Sequence, residues 1–274
     1  MSIVKLDSVE STNKYCEALD LAEVEDFTCY WALEQTAGIG QRGNHWEAEA
    51  GKNLTFSLVL HPIFLLAERQ FKLTEALSLA LIDFLSPLAP QGRRPQFIPP
   101  LSRGGGRKPE GFHLSPSIKW PNDIYVGNRK ICGTLVSTHL TTQAIKQSSN
   151  QAIISSAICG IGLNVNQTVF PDWVPNPTSL ALLSGKEFEL EPLLKSLLSC
   201  IEKRYCNLKS ELDPETEYLS HLLNFNFPAR YQYQGKEIIA TITGVDPHGH
   251  LLLATSDGQN ISCNMNEISL LLPR

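Results

Sequence analysis

Residues 117–136 read SIKWPNDIYVGNRKICGTLV. Apolar side chains lie on both sides of Gly127-Asn128: Ile124, Tyr125 and Val126 before it, Ile131, Leu135 and Val136 after it. That pattern predicts two short strands joined by a tight turn. The hairpin sets Lys119, Asn122, Asp123 and Lys130 on or beside one sheet, and Pro121 fixes the backbone ahead of Asn122. Two cations and a carboxylate on a rigid surface suit an anionic ligand undergoing activation, such as a phosphate ester. An isolated K-x-x-N-D is more often an ordinary charged surface hairpin, so the decision rests on what flanks it.

The composition bounds the answer. A chain of 274 residues holds one large core, or a core with a small second domain. Apolar content of 42% and charged content of 19% are those of a soluble globular protein. A net charge of −5 argues against a nucleic-acid partner. No segment approaches the ~20 continuous apolar residues that cross a bilayer, and the start, MSIVKLDSVESTN, lacks a signal-peptide layout. Seven cysteines without a C-x-x-C pair indicate neither a disulfide framework nor a zinc site. Cys132 and Cys159 fall in apolar runs and read as buried thiols. A cytoplasmic protein is expected.

Upstream of the hairpin, residues 2–6 read as a strand. Ser11 or Thr12 then caps an amphipathic helix running to about Val24. Ser11-Thr12-Asn13 is a helix cap in the bland reading and a small-ligand contact in the functional one. Cys29–Glu34 is a buried strand. It leads into a loop with Gly38, Gly40 and Gly43 ahead of Trp46, whose backbone N–H groups can approach an anion and whose indole offers an aromatic face. Arg42 adds a guanidinium. The loop lacks the G-K-[ST] ending of a P-loop; a flexible surface loop is its bland reading. Asn53–Leu60 is a further strand, and Leu66–Leu85 a helix with a wide apolar face.

Residues 87–116 differ in kind. They are rich in Pro, Gly and Arg, with Arg93, Arg94, Arg103, Arg107 and Lys108 against Glu110, a net +4. Such a segment buries no core, so 90–116 is expected to be a mobile insert. Downstream, Thr138–Gln151 is polar and predicts a loop. Ala152–Val165 is a long β-like run carrying Gly160, Gly162 and Asn164. Glycines inside a strand mark close approach of a ligand or another backbone. In the Pro-rich loop beyond it, Phe170, Trp173 and Val174 read as exposed. Leu190–Leu208 has strong helical periodicity, a second helix follows Pro214 to about Leu223, and from Phe227 short alternating strands predict a small β-barrel.

Taken in order, these motifs give a resemblance to the biotin protein ligases. It is carried by Ser11-Thr12-Asn13, by the loop Gln35…Gly38…Gly40…Gly43…Trp46, by Lys119-Trp120-Pro121-Asn122-Asp123 with Arg129-Lys130-x-x-Gly133, and by Gly160-Ile161-Gly162-Leu163-Asn164. It covers nearly the whole chain except 90–116. K-W-P-N-D followed by R-K-x-x-G is the specific motif; the others reinforce it. The resemblance implies an α+β fold. A central mixed/antiparallel β-sheet with packed helices, a class II synthetase/biotin ligase-like catalytic domain, would span 1–224. A small SH3-like β-barrel would span 225–274. It implies an ATP-dependent ligase that makes biotinyl-5′-AMP from biotin and MgATP and transfers biotin to a lysine of a biotin carboxyl carrier protein.

On that resemblance the biotin pocket would comprise Ser11, Thr12, Asn13, Gln35, Gly40, Gln41, Lys130 and Gly133. The ATP and adenylate contacts would be Arg42, Gly43, Trp46, Lys119, Gly160, Gly162 and Asn164, with Trp46 on adenine. Asn122 and Asn164 would sit near Mg²⁺. Lys130 would contact both the biotin carboxyl and the α-phosphate, Lys119 would support the phosphates, and Asp123 would attend the incoming lysine. A carboxylate of ordinary aspartate pKa, near 3.9, is a poor base, so orientation of the amine is the expected role.

The family loop usually carries arginines where this chain has Ile39, Gln41 and Asn44. Arg42 is its only guanidinium, and a looser hold on the adenylate is expected. The chain starts at the catalytic domain, without the winged-helix segment of repressor-type members, so no operator binding is expected. An exposed sheet edge is able to pair with a second copy, giving a homodimer, or with the carrier. The alternatives are a lipoate or octanoate protein ligase, which shares the fold and an equivalent lysine, and a non-catalytic biotin-binding sensor.

Overall fold

The computed structural model describes residues 2–88, 115–141 and 152–272. The expected insert therefore lies almost wholly outside the described residues, but it is shorter at its end than the composition suggests. Pro116 already belongs to a strand and pairs with Val126.

Seven strands form one mixed sheet: β1 (Ser2–Val9), β2 (Thr28–Gln35), β3 (Leu54–Leu60), β4 (Pro116–Lys119), β5 (Asp123–Val126), β6 (Arg129–Thr141) and β7 (Ile153–Leu163), in the order β1-β2-β3-β7-β6-β5-β4. β1 and β2 are parallel; the remaining neighbours are antiparallel. Strands β3 and β7 sit in the middle, and almost every residue of theirs is buried on one face or the other. Both strands are mostly apolar, with Thr55, Ser57, Ser155 and Ser156 as their polar positions. Gly127 turns the hairpin between β5 and β6 at φ +61°, a left-handed conformation natural to glycine.

Helices cover both faces. On one, α1 (Thr12–Glu17) packs on β2, β3 and β7, burying Cys16 against Tyr30, Val59 and Ile158. On the other, α2 (Phe71–Leu85) is buried almost all round, because α4 (Leu190–Lys209) and α5 (Glu215–His221) pack against it and it also touches β4 and β5. A five-residue helix, α3 (Leu180–Ser184), is capped by Ser179, whose hydroxyl accepts from the Leu182 N–H, and ends at Gly185.

β8 (Pro228–Tyr233), β9 (Lys236–Val245), β10 (Leu251–Thr255), β11 (Asn260–Cys263) and β12 (Ile268–Leu270) form a second, antiparallel sheet in the order β11-β10-β9-β8-β12. All seven cysteines are free thiols. Burial pushes up the pKa of Cys132 and Cys159. No helix among the described residues is long and apolar enough to cross a membrane.

Several boundaries depart from periodicity. The first helix stops at Glu17 rather than near Val24: the Asp20 carboxylate accepts from the Ala22 N–H, an Asx turn that competes with helical pairing. The polar stretch from Thr138 is strand as far as Thr141, because β6 pairs with β7 out to Thr141↔Ile153; 142–151 lie outside the described residues. The second helix begins at Phe71, after a 3-10 turn at Ala67–Arg69.

Candidate functional site

One row of backbone pairing crosses the large sheet. Thr55 on β3 faces Gly162 on β7, which faces Gly133 on β6, which faces Asp123 on β5, which faces Lys119 on β4. Paired residues project to the same side of a sheet. The row therefore lays two side-chain-free positions beside a carboxylate and an ammonium, on the face that α1 covers. A cleft of about 300 Å³ opens over it, of the size that takes a small ligand.

Lys130 reaches this face by an irregularity. Plain alternation back from Gly133 sends Lys130 to the opposite side. A β-bulge intervenes: Ile124 pairs with Cys132 but Tyr125 pairs with Lys130, leaving Ile131 unopposed. The extra residue re-aims the side chain. The Lys130 ammonium then lies 2.6 Å from Asp123 Oδ1, over Gly133, where a Cβ would come within 3.2 Å of its Nζ. It also lies 5.7 Å from the centre of the Trp46 indole. Lys119 Nζ sits 5.4 Å from the centre of the Tyr125 ring. The two lysines are thus on strands flanking β5 rather than on adjacent ones, and both line the same cleft.

One end of the cleft is polar and tightly connected. Gln35 Oε1 accepts from the Thr12 N–H at 2.7 Å and from the Thr12 hydroxyl at 3.1 Å. The buried Ser57 hydroxyl lies 2.7 Å from Thr12 Oγ1 and 2.6 Å from Asn13 Oδ1. It has a single proton, which goes to Asn13, whose amide oxygen only accepts, so the Thr12 hydroxyl shares its own proton between Ser57 and Gln35. Asn13 Nδ2 is left as a buried donor without a partner among the described residues. Gly160 makes room for this amide, since a Cβ there would overlap it. Such an end can hold a small polar group by hydrogen bonds alone.

Next to it, the glycine loop folds back on itself. Trp46 N–H donates to the Gly38 carbonyl at 2.9 Å, and Gly40 N–H to that of Asn44. A Cβ on Gly162 would run into the Trp46 indole, whose buried N–H is unpaired among the described residues. Ring, glycines and two lysines form a platform for a planar, anionic molecule.

The structure brings Ser11, Thr12, Asn13, Gln35, Gly40, Gln41, Trp46, Lys119, Asn122, Asp123, Lys130, Gly133, Gly160 and Gly162 to one cleft. Gly43 is exposed and does not line it, and the Arg42 side chain lies outside the described residues. Asn164 stands one residue past β7 and does not line it either; its amide donates to the Thr178 carbonyl at 2.9 Å. Asn122, which does line the cleft, donates to the Thr134 carbonyl. Both asparagines keep a buried amide oxygen without a partner among the described residues. Of the two, only Asn122 lines the cleft, where its oxygen fits a hard cation that keeps its waters and arrives on a phosphate. No cluster of three or more His, Cys, Asp or Glu occurs among the described residues.

Periodicity did not point to Ser57, although hydroxyls at alternate positions of LTFSLVL, Thr55 and Ser57, share one face of the strand and are a readable signal. Nor did it point to Tyr231, Ser269 and Leu270, by which the second sheet reaches the same cleft.

The model of the biotin/lipoate A/B protein ligase family matches residues 6–155. The bifunctional ligase/repressor BirA of Bacillus spizizenii is 26% identical over 261 residues, covering 93% of this chain and 70% of that protein. The biotin–[acetyl-CoA-carboxylase] ligase of Paracoccus denitrificans is 29% identical over 268 residues, covering 93% and 95%. The Aquifex aeolicus biotin protein ligase, solved with biotin and ATP, superposes with a TM-score of 0.72 at 23% identity, covering 98% of each chain.

Proposed function

The chain belongs to the biotin/lipoate A/B protein ligase family, and on that premise we propose that it is a biotin protein ligase. It joins biotin to ATP as biotinyl-5′-AMP and passes biotin to a lysine of a carboxyl carrier protein. The observation that carries this reading is the Lys130–Asp123 pair over Gly133, in one cleft with a hydrogen-bonding pocket and an aromatic-glycine platform. The names of the relatives, biotin–[acetyl-CoA-carboxylase] ligases among them, support biotin over lipoate.

In the first step the biotin carboxylate attacks the α-phosphorus; an O–P bond forms and pyrophosphate leaves. Two anions must meet. An ammonium about 4 Å from the reacting oxygens offers on the order of 4 kcal/mol at an effective dielectric of about 20, an upper guide. Lys130 supplies that charge where carboxylate and phosphate converge, and Lys119 supports the phosphates from the far side of β5. Ser11, Thr12, Asn13 and Gln35 hold the polar ring of biotin, and Trp46 stacks on adenine above Gly162. Mg²⁺ carried by ATP would supply neutralisation of phosphate charge. Asn122, which lines the cleft, would be the residue to hold it through its amide oxygen; Asn164 does not line the cleft.

In the second step the carrier lysine, as free amine, attacks the acyl carbon and AMP departs. Bringing an amine of ordinary pKa ~10.4 to its neutral form at pH 7 costs roughly 4–5 kcal/mol. Asp123 accepts a hydrogen bond from that amine and orients it. We further assign 1–224 as the catalytic unit and 225–274 as an SH3-like barrel closing over it, and place the enzyme in the cytoplasm, where its thiols stay reduced.

Biotin-dependent exchange of labelled pyrophosphate into ATP tests the first step, and biotin capture by a purified carrier domain the second. Exchange that responds to lipoate and not to biotin would overturn the substrate. No exchange with either would leave a sensor.

A further inference from the structure

The turn Trp120–Asn122 joins Lys119, the last residue of β4, to Asp123, the first of β5. Its geometry therefore fixes how three polar groups of the cleft stand to one another. Asn122 is tied to β6 through the Thr134 carbonyl. Trp120 donates its indole N–H to the Gly249 carbonyl at 3.1 Å. Between them, the Pro121 carbonyl accepts a 2.6 Å hydrogen bond from the hydroxyl of Tyr218, which comes from α5.

Tyr218 is completely buried. Its ring stands edge-on to Phe71 at 5.7 Å and 89°. The start of α5 is anchored in turn, because the buried Lys72 ammonium holds Asp213 at 2.9 Å and Glu215 at 2.8 Å. Beyond the helix, the Leu223 N–H donates to the Ile118 carbonyl at 2.8 Å, and Leu222 bridges Ile118 on the outer edge of β4. Tyr218 thus belongs to a rigid unit that meets the turn from behind, on the side away from the cleft; it does not line the cleft.

We propose that, given the adenylating activity proposed above, Tyr218 is a positioning residue: its hydroxyl, through the Pro121 carbonyl, sets the turn on which Lys119, Asn122 and Asp123 stand. Loss of the hydroxyl frees a buried carbonyl to seek another donor, and the turn moves with it. Small displacements of groups that neutralise charge in a transition state reduce rate more than they reduce binding. The ring itself is a packing element, so Tyr218→Phe isolates the hydroxyl.

In the full chain, Tyr218→Phe is expected to lower the saturated rate of biotin-dependent pyrophosphate exchange about tenfold. Its calorimetric Kd for biotin alone should stay within about twofold of wild type, since the Ser11–Gln35 end is untouched. Tyr205→Phe is the matched control, because the Tyr205 hydroxyl is also buried but has no partner among the described residues; its rate should equal wild type. An unchanged rate in Tyr218→Phe overturns the proposal. So does a loss that only parallels a fall in helical circular dichroism or in biotin affinity, which would mark a structural role. Absence of exchange in the wild type removes the adenylation reading first, and the positioning role with it.

Discussion

Lys130 and Asp123 form an ion pair at 2.6 Å. In the proposed mechanism each has a second task, and the tasks fall in different steps. Lys130→Ala removes the positive charge from the point where carboxylate and phosphate converge. It is expected to abolish adenylate formation, read as pyrophosphate release with biotin and ATP; wild-type release would take Lys130 out of the mechanism. Asp123→Ala leaves that charge in place and takes away only its local counter-ion. Adenylation should persist while transfer to the carrier lysine falls by one to two orders of magnitude or so, the size expected of an orienting group. Single-turnover measurement of the two half-reactions separates these outcomes, and equal losses in both would deny Asp123 a role specific to transfer. The residue types were readable in K-W-P-N-D and R-K-x-x-G. That Lys130 faces Asp123 was not, because strict alternation points it the other way and only the bulge at Ile131 corrects it.

At the scale of elements, β7 separates the two ends of the cleft. Gly160 and Gly162 are two residues apart, so both present the same face. The first, which the resemblance set among the adenylate contacts, instead makes room for Asn13 at the polar end, and the second makes room for Trp46. Gly160→Ala should therefore raise the KM for biotin by at least about tenfold while changing that for ATP much less, and Gly162→Ala should do the reverse. Steady-state kinetics with each substrate varied in turn checks this; parallel effects would mean that the strand shifts as a whole. Helix α2 carries a different signature, in stability. Burial pushes the carboxyl of Glu75 up to about 7, against an ordinary value near 4.5, although Lys72 lies 3.2 Å away. Between those two values the folded chain holds a proton that the unfolded chain has released, so stability falls as pH rises from about 4.5 through 7. The effect is at most about 3 kcal/mol. Glu75→Gln should flatten that slope in urea titrations run across the window, and an unchanged slope would place the titration elsewhere. Strands, long helices and the Gly127 turn were legible because periodicity and turn residues are local signals. The end of α1 was not, since a single Asx turn decides it. Tyr218 was not either, since its partner lies 97 residues away in sequence.

At the scale of the whole molecule, the second sheet lines the cleft through Tyr231, Ser269 and Leu270 and also bonds one of its turns to Trp120. Asp246 organises that turn, its carboxylate accepting from the N–H groups of His248 and His250 at 2.9 Å each and lying 2.8 Å from His250 Nδ1. Gly249, at φ +89°, then presents its carbonyl to Trp120 and its α-carbon to Phe71, where a Cβ would collide with the ring. No local signal in the sequence shows that this turn docks, because docking depends on Trp120 and Phe71, both remote in the chain. Gly249→Ala combines an unfavourable backbone conformation with a clash, together about 2–4 kcal/mol. In a chain of this size each kcal/mol lowers Tm by roughly 2–4 °C. Gly258→Ala provides the comparison: φ is +86° there, but nothing lies within 4 Å of the added carbon, so only the backbone strain remains. Both variants should melt earlier than wild type, Gly249→Ala by more. Assayed well below either midpoint, only Gly249→Ala should lose adenylation rate, because only its turn is bonded to the residue between Lys119 and Pro121. Equal rates in the two variants would mean that the second sheet adds stability to the cleft without shaping its chemistry.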